Sequence, residues 1–295
     1  MIRAPIGDVS YWTAVTNYGS ERLSEEWRKI GQPSANPTYR PQYVLDTGQN
    51  QIRYLLGRYS SGAPIRDLIQ YFPGLLDAWE LSNRLSNEIC KEHHLQTCRD
   101  WDFSLSNLNH YNWCFWLIGL ALALEIPDDQ WQRLLMLIGG EGDDVLLDRV
   151  IASRSPQREI GKALLHAKPY ARLLKAIDAP KAEQASLLRD FVDHWYDELK
   201  RPSPKNRKAP TVEPFWHAYG DPVKSPLENG SYFGRWCIEA VAAVKAFGLD
   251  DSLCLGHEHY PGDLLRPDGP TTHQARHEEK PQGWFARFWN RKKSS

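Results

Sequence analysis

Apolar positions along this chain recur mostly at spacings of three and four, the period of a helix, and almost nowhere at spacings of two. Residues 43–62 place Leu45, Ile52, Leu55, Leu56 and Tyr59 on one stripe, with Gly62 as the stop. From Ala63 to Cys90 a second helical pattern carries Ile65, Leu68, Ile69 and Phe72, and Pro73 kinks or divides it. Residues 113–126, WCFWLIGLALALEI, are apolar on every side. That run falls short of the ~20 residues needed to cross a bilayer, so it predicts a buried helix. Pro127, Asp128 and Asp129 open a further helix that Gly139 and Gly140 close. Helices are also predicted over 143–154, 158–177, 181–200 and 232–247. Residues 1–40 are mixed, and 201–230, with six prolines, read as one long loop.

The fold class that follows is all-α: a multi-helix bundle of antiparallel helices with little or no strand. The expected organisation is an N-terminal helical region over 1–130, a C-terminal helical region over 131–265 packed on it, and a basic polar tail over 266–295. Trp113-Cys114 and Trp236-Cys237 each stand at the head of an apolar run. This weak repeat reads as two similar buried helices rather than a duplicated unit.

Composition changes the picture in three ways. The 12 tryptophans supply large aromatic surfaces for a core or an interface. The formal charge of −1 conceals a split: 200–208 carries +5, 266–295 carries +4, and the rest carries −10. An acidic body suits a basic protein partner and argues against direct nucleic-acid binding. The five cysteines, without a CxxC pair, read as small core residues of a reduced compartment. The first residues have no apolar signal core, so a cytoplasmic protein is expected.

Candidate chemistry is sparse. His257 and His259 in GHEHY could serve a metal-dependent hydrolase, but the scaffolded third ligand that zinc requires is missing from the pattern. GGEGDD (139–144) lacks the Lys and Ser/Thr of a phosphate loop and reads as an acidic helix–helix turn. No nucleophile elbow or paired-carboxylate motif occurs, so neither an enzyme nor a cofactor nor a bound metal is expected. The end, WFARFWNRKK, offers aromatic and basic faces to a membrane surface, a route to peripheral attachment but not to stable insertion. Glu239, in an apolar helix, is read as a buried ion paired with Arg235 one turn earlier, rather than as a catalytic acid.

Residues 231–265 carry a more specific signal: Tyr232, Gly234, Trp236, Glu239, Ala240, Ala242, Lys245, Gly248, Asp250 and Asp251, closed by Tyr260, Pro261, Asp263 and Leu264. This stretch resembles the C-terminal signature of the PoNi-type immunity proteins, antidotes encoded beside polymorphic DNase toxins, many of them delivered by type VI secretion. Residues 58–80 resemble the N-terminal half of the same family, and Arg235, Cys237 and Gly262 depart from its pattern. The resemblance implies an all-helical, non-catalytic protein that neutralises a cognate toxin, a basic nuclease domain, by stoichiometric binding. Homodimerisation stays open. Acidic turns are the candidate toxin contacts: Glu141, Asp143, Asp144, Asp250 and Asp251. Tyr232, Gly234, Trp236, Glu239, Tyr260, Pro261 and Asp263 are expected to hold the fold.

Overall fold

The computed structural model describes residues 1–92, 104–202 and 211–275. Its helices, in order, are α1 (Val9–Ile30), α2 (Arg40–Ser61), α3 (Phe72–Glu92), α4 (Leu108–Ala123), α5 (Asp128–Ile138), α6 (Val145–Ala152), α7 (Ala167–Asp178), α8 (Lys181–Glu198) and α9 (Ile238–Phe247). Among the described residues the only extended pairing is an antiparallel ladder of two residues a side, Arg201 opposite Val212 and Pro202 opposite Thr211. The fold is all-α.

Helix ends follow the local chemistry. Asp8 caps α1 by accepting from Tyr11 N, Asn107 caps α4, and Asp144 caps α6 by accepting from Leu146 N and Leu147 N. Gly62 and Gly248 end α2 and α9 in the left-handed conformation, at φ of 93° and 64°. Pro73 does divide its segment: a 3₁₀ stretch, Ile65–Tyr71, precedes it, and α3 starts around it.

α2 packs on α1 and α3, α7 on α8, and α4 on α9. One continuous core runs from Trp12 through α4 to Leu264, so the N- and C-terminal parts share an interior. α4 is its centre: only Asn109, His110 and Trp113 along its length are not buried. Gly119 lets α9 approach, because a Cβ there would meet Ile238 Cγ2 at 2.7 Å and the Ile238 carbonyl oxygen at 3.0 Å. Gly119→Ala should therefore cost about 1–3 kcal/mol by overpacking, visible as a lower urea midpoint with unchanged slope.

Several sequence expectations change. α1 is a long helix within the stretch read as mixed; its buried side is sparse, with Trp12, Leu23 and Ile30 as the large apolar residues, and Gly19 admits the Tyr54 ring. The predicted helix over 158–177 begins only at Ala167, because the backbone of the preceding residues wraps two buried aspartates. The helix predicted over 232–247 begins at Ile238: Gly234 sits at φ 108°, where a Cβ would strike the Trp236 indole. Trp236 therefore precedes α9 while Trp113 lies inside α4, and the two copies of the weak repeat are not equivalent. Cys114, Cys237 and Cys254 are free and buried, as read, but Cys90 is disulfide-bonded. Cys98 and the stretches 203–210 and 276–295, with most of both basic segments, lie outside the described residues. No helix among the described residues is long and apolar enough to cross a membrane.

Candidate functional site

Glu239 stands in the first turn of α9, fully buried, where α4, α7 and α8 meet. Its Oε1 accepts from Tyr170 Oη at 2.9 Å, Trp195 Nε1 at 3.2 Å and Asn112 Nδ2 at 3.2 Å. No cation faces it. Desolvation dominates and pushes its carboxyl up to about 7, against the opposing pull of its own main-chain N–H, Tyr170 and Trp195. The expected Arg235–Glu239 pair does not form. Gly234 turns the chain before the helix starts, so Arg235 is not one helical turn from Glu239. It lies instead over the Tyr196 ring at 5.2 Å and points to Glu258 at 3.9 Å. Glu239 is sealed from solvent and ties four helices together through uncharged donors.

The other motif residues join distant parts of the chain. Trp236 Nε1 donates to Ser60 Oγ at 2.8 Å, and Ser60 Oγ donates to the Phe233 carbonyl at 2.7 Å. The Tyr232 carbonyl accepts from Tyr11 Oη at 2.9 Å. Asp263 accepts from Arg3 Nε at 2.6 Å, from Thr271 Oγ1 and from both N and Oγ1 of Thr272, which stitches the N-terminus to the end of the described chain. Tyr260 donates to Asp251 Oδ2 at 2.6 Å, and Arg266 grips the same carboxylate with both terminal nitrogens. Pro261 is buried beside them.

The candidate contact acids divide. Glu141, Asp143 and Asp250 are exposed, with no Lys, Arg or His in ion-pair range among the described residues. Asp144 and Asp251 are buried, which corrects the expectation that all five face solvent. Asp251 is spent on Tyr260 and Arg266. Asp144 caps α6 and also accepts from Tyr111 Oη at 2.8 Å and Leu165 N at 2.8 Å. Beside it lies Asp148, which periodicity alone did not single out: fully buried, it pairs with Arg158 Nε at 2.7 Å. Its Oδ2 also accepts from the N–H groups of Gly142, Asp144 and Gly161. The two aspartates pin the 139–144 turn to the 153–166 segment, which brings Glu159 against Glu141 and raises an acidic ledge of Glu141, Asp143 and Glu159.

The two histidines of GHEHY are neighbours, their rings 5.4 Å apart, but they face different partners. His257 Nε2 meets Asp193 at 3.1 Å, while His259 is buried against Trp195 and Tyr196. Burial pushes His259 down to about 4, which keeps it neutral near neutral pH. Among the described residues no group of three or more His, Cys, Asp or Glu is placed to hold a metal.

The geometry defines a helical protein whose signature residues lock its first and last segments into one body and whose Glu141, Asp143 and Asp250 face outward with no cationic partner among the described residues. The family model of the PoNe immunity protein (PoNi) N-terminal region matches residues 3–136, and that of the C-terminal region matches 142–264. The chain belongs to the PoNe immunity protein family. Its fold is similar to the crystal structure of protein PA2201 from Pseudomonas aeruginosa, with a TM-score of 0.65 and 18% identity over 90% of this chain and 91% of that one. No curated protein matches the chain.

Proposed function

We propose that this protein acts in the cytoplasm as the stoichiometric inhibitor of a nuclease toxin, an effector of type VI secretion. On this reading it binds the toxin through the acidic ledge and does no chemistry of its own. The observation that carries the reading is the division of the acids. The inward aspartates Asp144, Asp148, Asp251 and Asp263 are each held by several donors, whereas Glu141, Asp143 and Asp250 are held outward with no cationic partner among the described residues. A nuclease must display Lys and Arg to grip phosphate. Fixed carboxylates on a rigid turn complement such a surface, speed encounter and deny the substrate entry.

Co-expression with the toxin encoded beside this gene should restore growth, and the two proteins should co-purify in a 1:1 complex. Glu141→Lys combined with Asp143→Lys should slow association at least tenfold (~1.4 kcal/mol) and weaken its salt dependence. The thermal midpoint should move little, because both side chains are exposed and the one bond lost, from Glu159 N to Glu141 Oε1, lies at the surface. Rescue without a complex would sink the binding mechanism. Unchanged association in the double variant would move the contact off the ledge.

A further inference from the structure

A shallow apolar cleft opens at the N-terminal end of α4, between α2 and the segment from Glu213 to Phe233. Ile52, Trp113, Trp116, Phe215 and Trp216 form much of its wall, and Arg53 stands at its rim. The cleft has a free volume of about 20 Å³, room for one water-sized group. Phe215 is 48% exposed, an unusual position for a phenylalanine beside such a cleft.

Arg53 differs from the paired arginines of the core. Arg3 and Arg158, also largely buried, each hold an aspartate. Arg53 has no carboxylate in ion-pair range among the described residues. It lies over the rings of Phe215 at 5.2 Å and Tyr219 at 5.4 Å, and reaches Asn50 Oδ1 only at 3.5 Å. Burial holds its guanidinium below the ordinary arginine value, with Tyr219 and the more distant Asp46 and Glu26 opposing that shift. Other polar groups of the cleft also lack acceptors. Trp216 is buried and its Nε1 finds no acceptor. Asn109, also on the wall, accepts from Phe215 N at 3.0 Å through its Oδ1 and keeps its Nδ2 as a donor. The Arg53 guanidinium and the Trp216 indole can only donate, and they stand among apolar walls. That combination matches a carboxylate carried on an apolar surface. Arg and aromatic side chains converging on a partly desolvated spot are also the residue types that dominate binding energy at protein interfaces.

The place in the fold fits as well. Leu105, just before α4, packs under Gly140 of the acidic turn, Tyr111 of α4 holds Asp144, and Asn109 borders the cleft. The ledge and the cleft flank the same helix end. We infer that this cleft is a second anchor for the toxin, receiving an Asp or Glu side chain set among apolar residues of the partner. The inference rests on the toxin-binding reading above; it adds a contact of the opposite charge sense to the acidic ledge.

Arg53→Met, which keeps most of the stem and removes the fork, is the test, with Arg53→Lys beside it. Thermal midpoints are measured on the free proteins and dissociation constants against the purified toxin. Removing an unpaired desolvated cation should leave the Arg53→Met midpoint unchanged or higher, while the toxin dissociation constant rises at least tenfold, mainly through faster dissociation. Arg53→Lys, with charge but no planar fork, should fall between. A wild-type dissociation constant in Arg53→Met, whatever its midpoint, would overturn the cleft as an anchor and leave the ledge reading standing. Absence of a wild-type complex would overturn both.

Discussion

Glu239→Gln is expected to flatten a pH dependence of stability that the buried carboxyl should impose on the wild type between about pH 4.5 and 7. The sign follows from burial. The carboxyl is raised from 4.5 to about 7 in the folded protein, so between those values the folded state binds a proton that the unfolded state has released. The stabilisation from the protonated form is complete below about pH 4.5 and lost as pH rises through about 7. The shift corresponds to about 3 kcal/mol. Gln keeps an oxygen for Tyr170, Trp195 and Asn112 and cannot ionise. The difference in unfolding free energy between wild type and Glu239→Gln should thus move by about 3 kcal/mol in favour of the variant from pH 4.5 to 8. Urea melts at the two pH values read this directly, and the difference isolates Glu239 from the histidines. A constant difference would mean that the carboxyl is already ionised, with a cation or water at its free oxygen. Glu239→Ala removes the acceptor shared by three buried donors and should cost about 3 kcal/mol or more at pH 4.5, a cost that shrinks toward pH 8 as the wild type loses its own stabilisation.

The same residue shows how far the sequence reaches. The fold class, and helices α2, α4, α5 and α8, follow from apolar spacing and from stops at Gly62 and Gly139, because those signals lie within one or two turns of what they control. Glu239 was legible as a buried, structural acid, because a charge in an apolar helix must be accommodated. Its partners were not. Asn112 lies 127 residues away and Tyr170 69 away, and the nearby Arg235 was the more obvious choice until Gly234 broke the helix. Arg3 and Asp263, 260 residues apart, are likewise joined only by the fold. Acidic turns were legible as acidic, but not which carboxylates turn inward. Asp-Asp at 143–144 sends one side chain to solvent and the next into the core, as the first turn of α6 demands. Arg53 carries no local signal at all, since its isolation comes from a loop more than a hundred residues later in the chain.

Asp148→Ala should be the most damaging single change outside the apolar core, at about 3–5 kcal/mol. Asp148 and Arg158 form a closed pair, with side-chain exposures of 0% and 5%. Removing the carboxylate strands the guanidinium, which keeps its hydrogen bond to the Gly139 carbonyl, and also orphans three main-chain N–H groups. Asp148→Asn retains an acceptor but loses the charge, so it should sit between alanine and wild type. The loss should be local before it is global. Hydrogen exchange should quicken first at Gly142, Asp144 and Gly161, whose amides the carboxylate holds. Toxin affinity should fall with it, although Asp148 itself is out of a partner's reach, because Glu141 and Asp143 ride on the turn that it pins. Charge reversal at the ledge should lower affinity without lowering stability; loss of Asp148 should lower both. An Asp148→Ala protein with wild-type stability would show that the turn is held by its other tether, Asp144. Normal affinity in a clearly destabilised variant would separate the ledge from the binding surface.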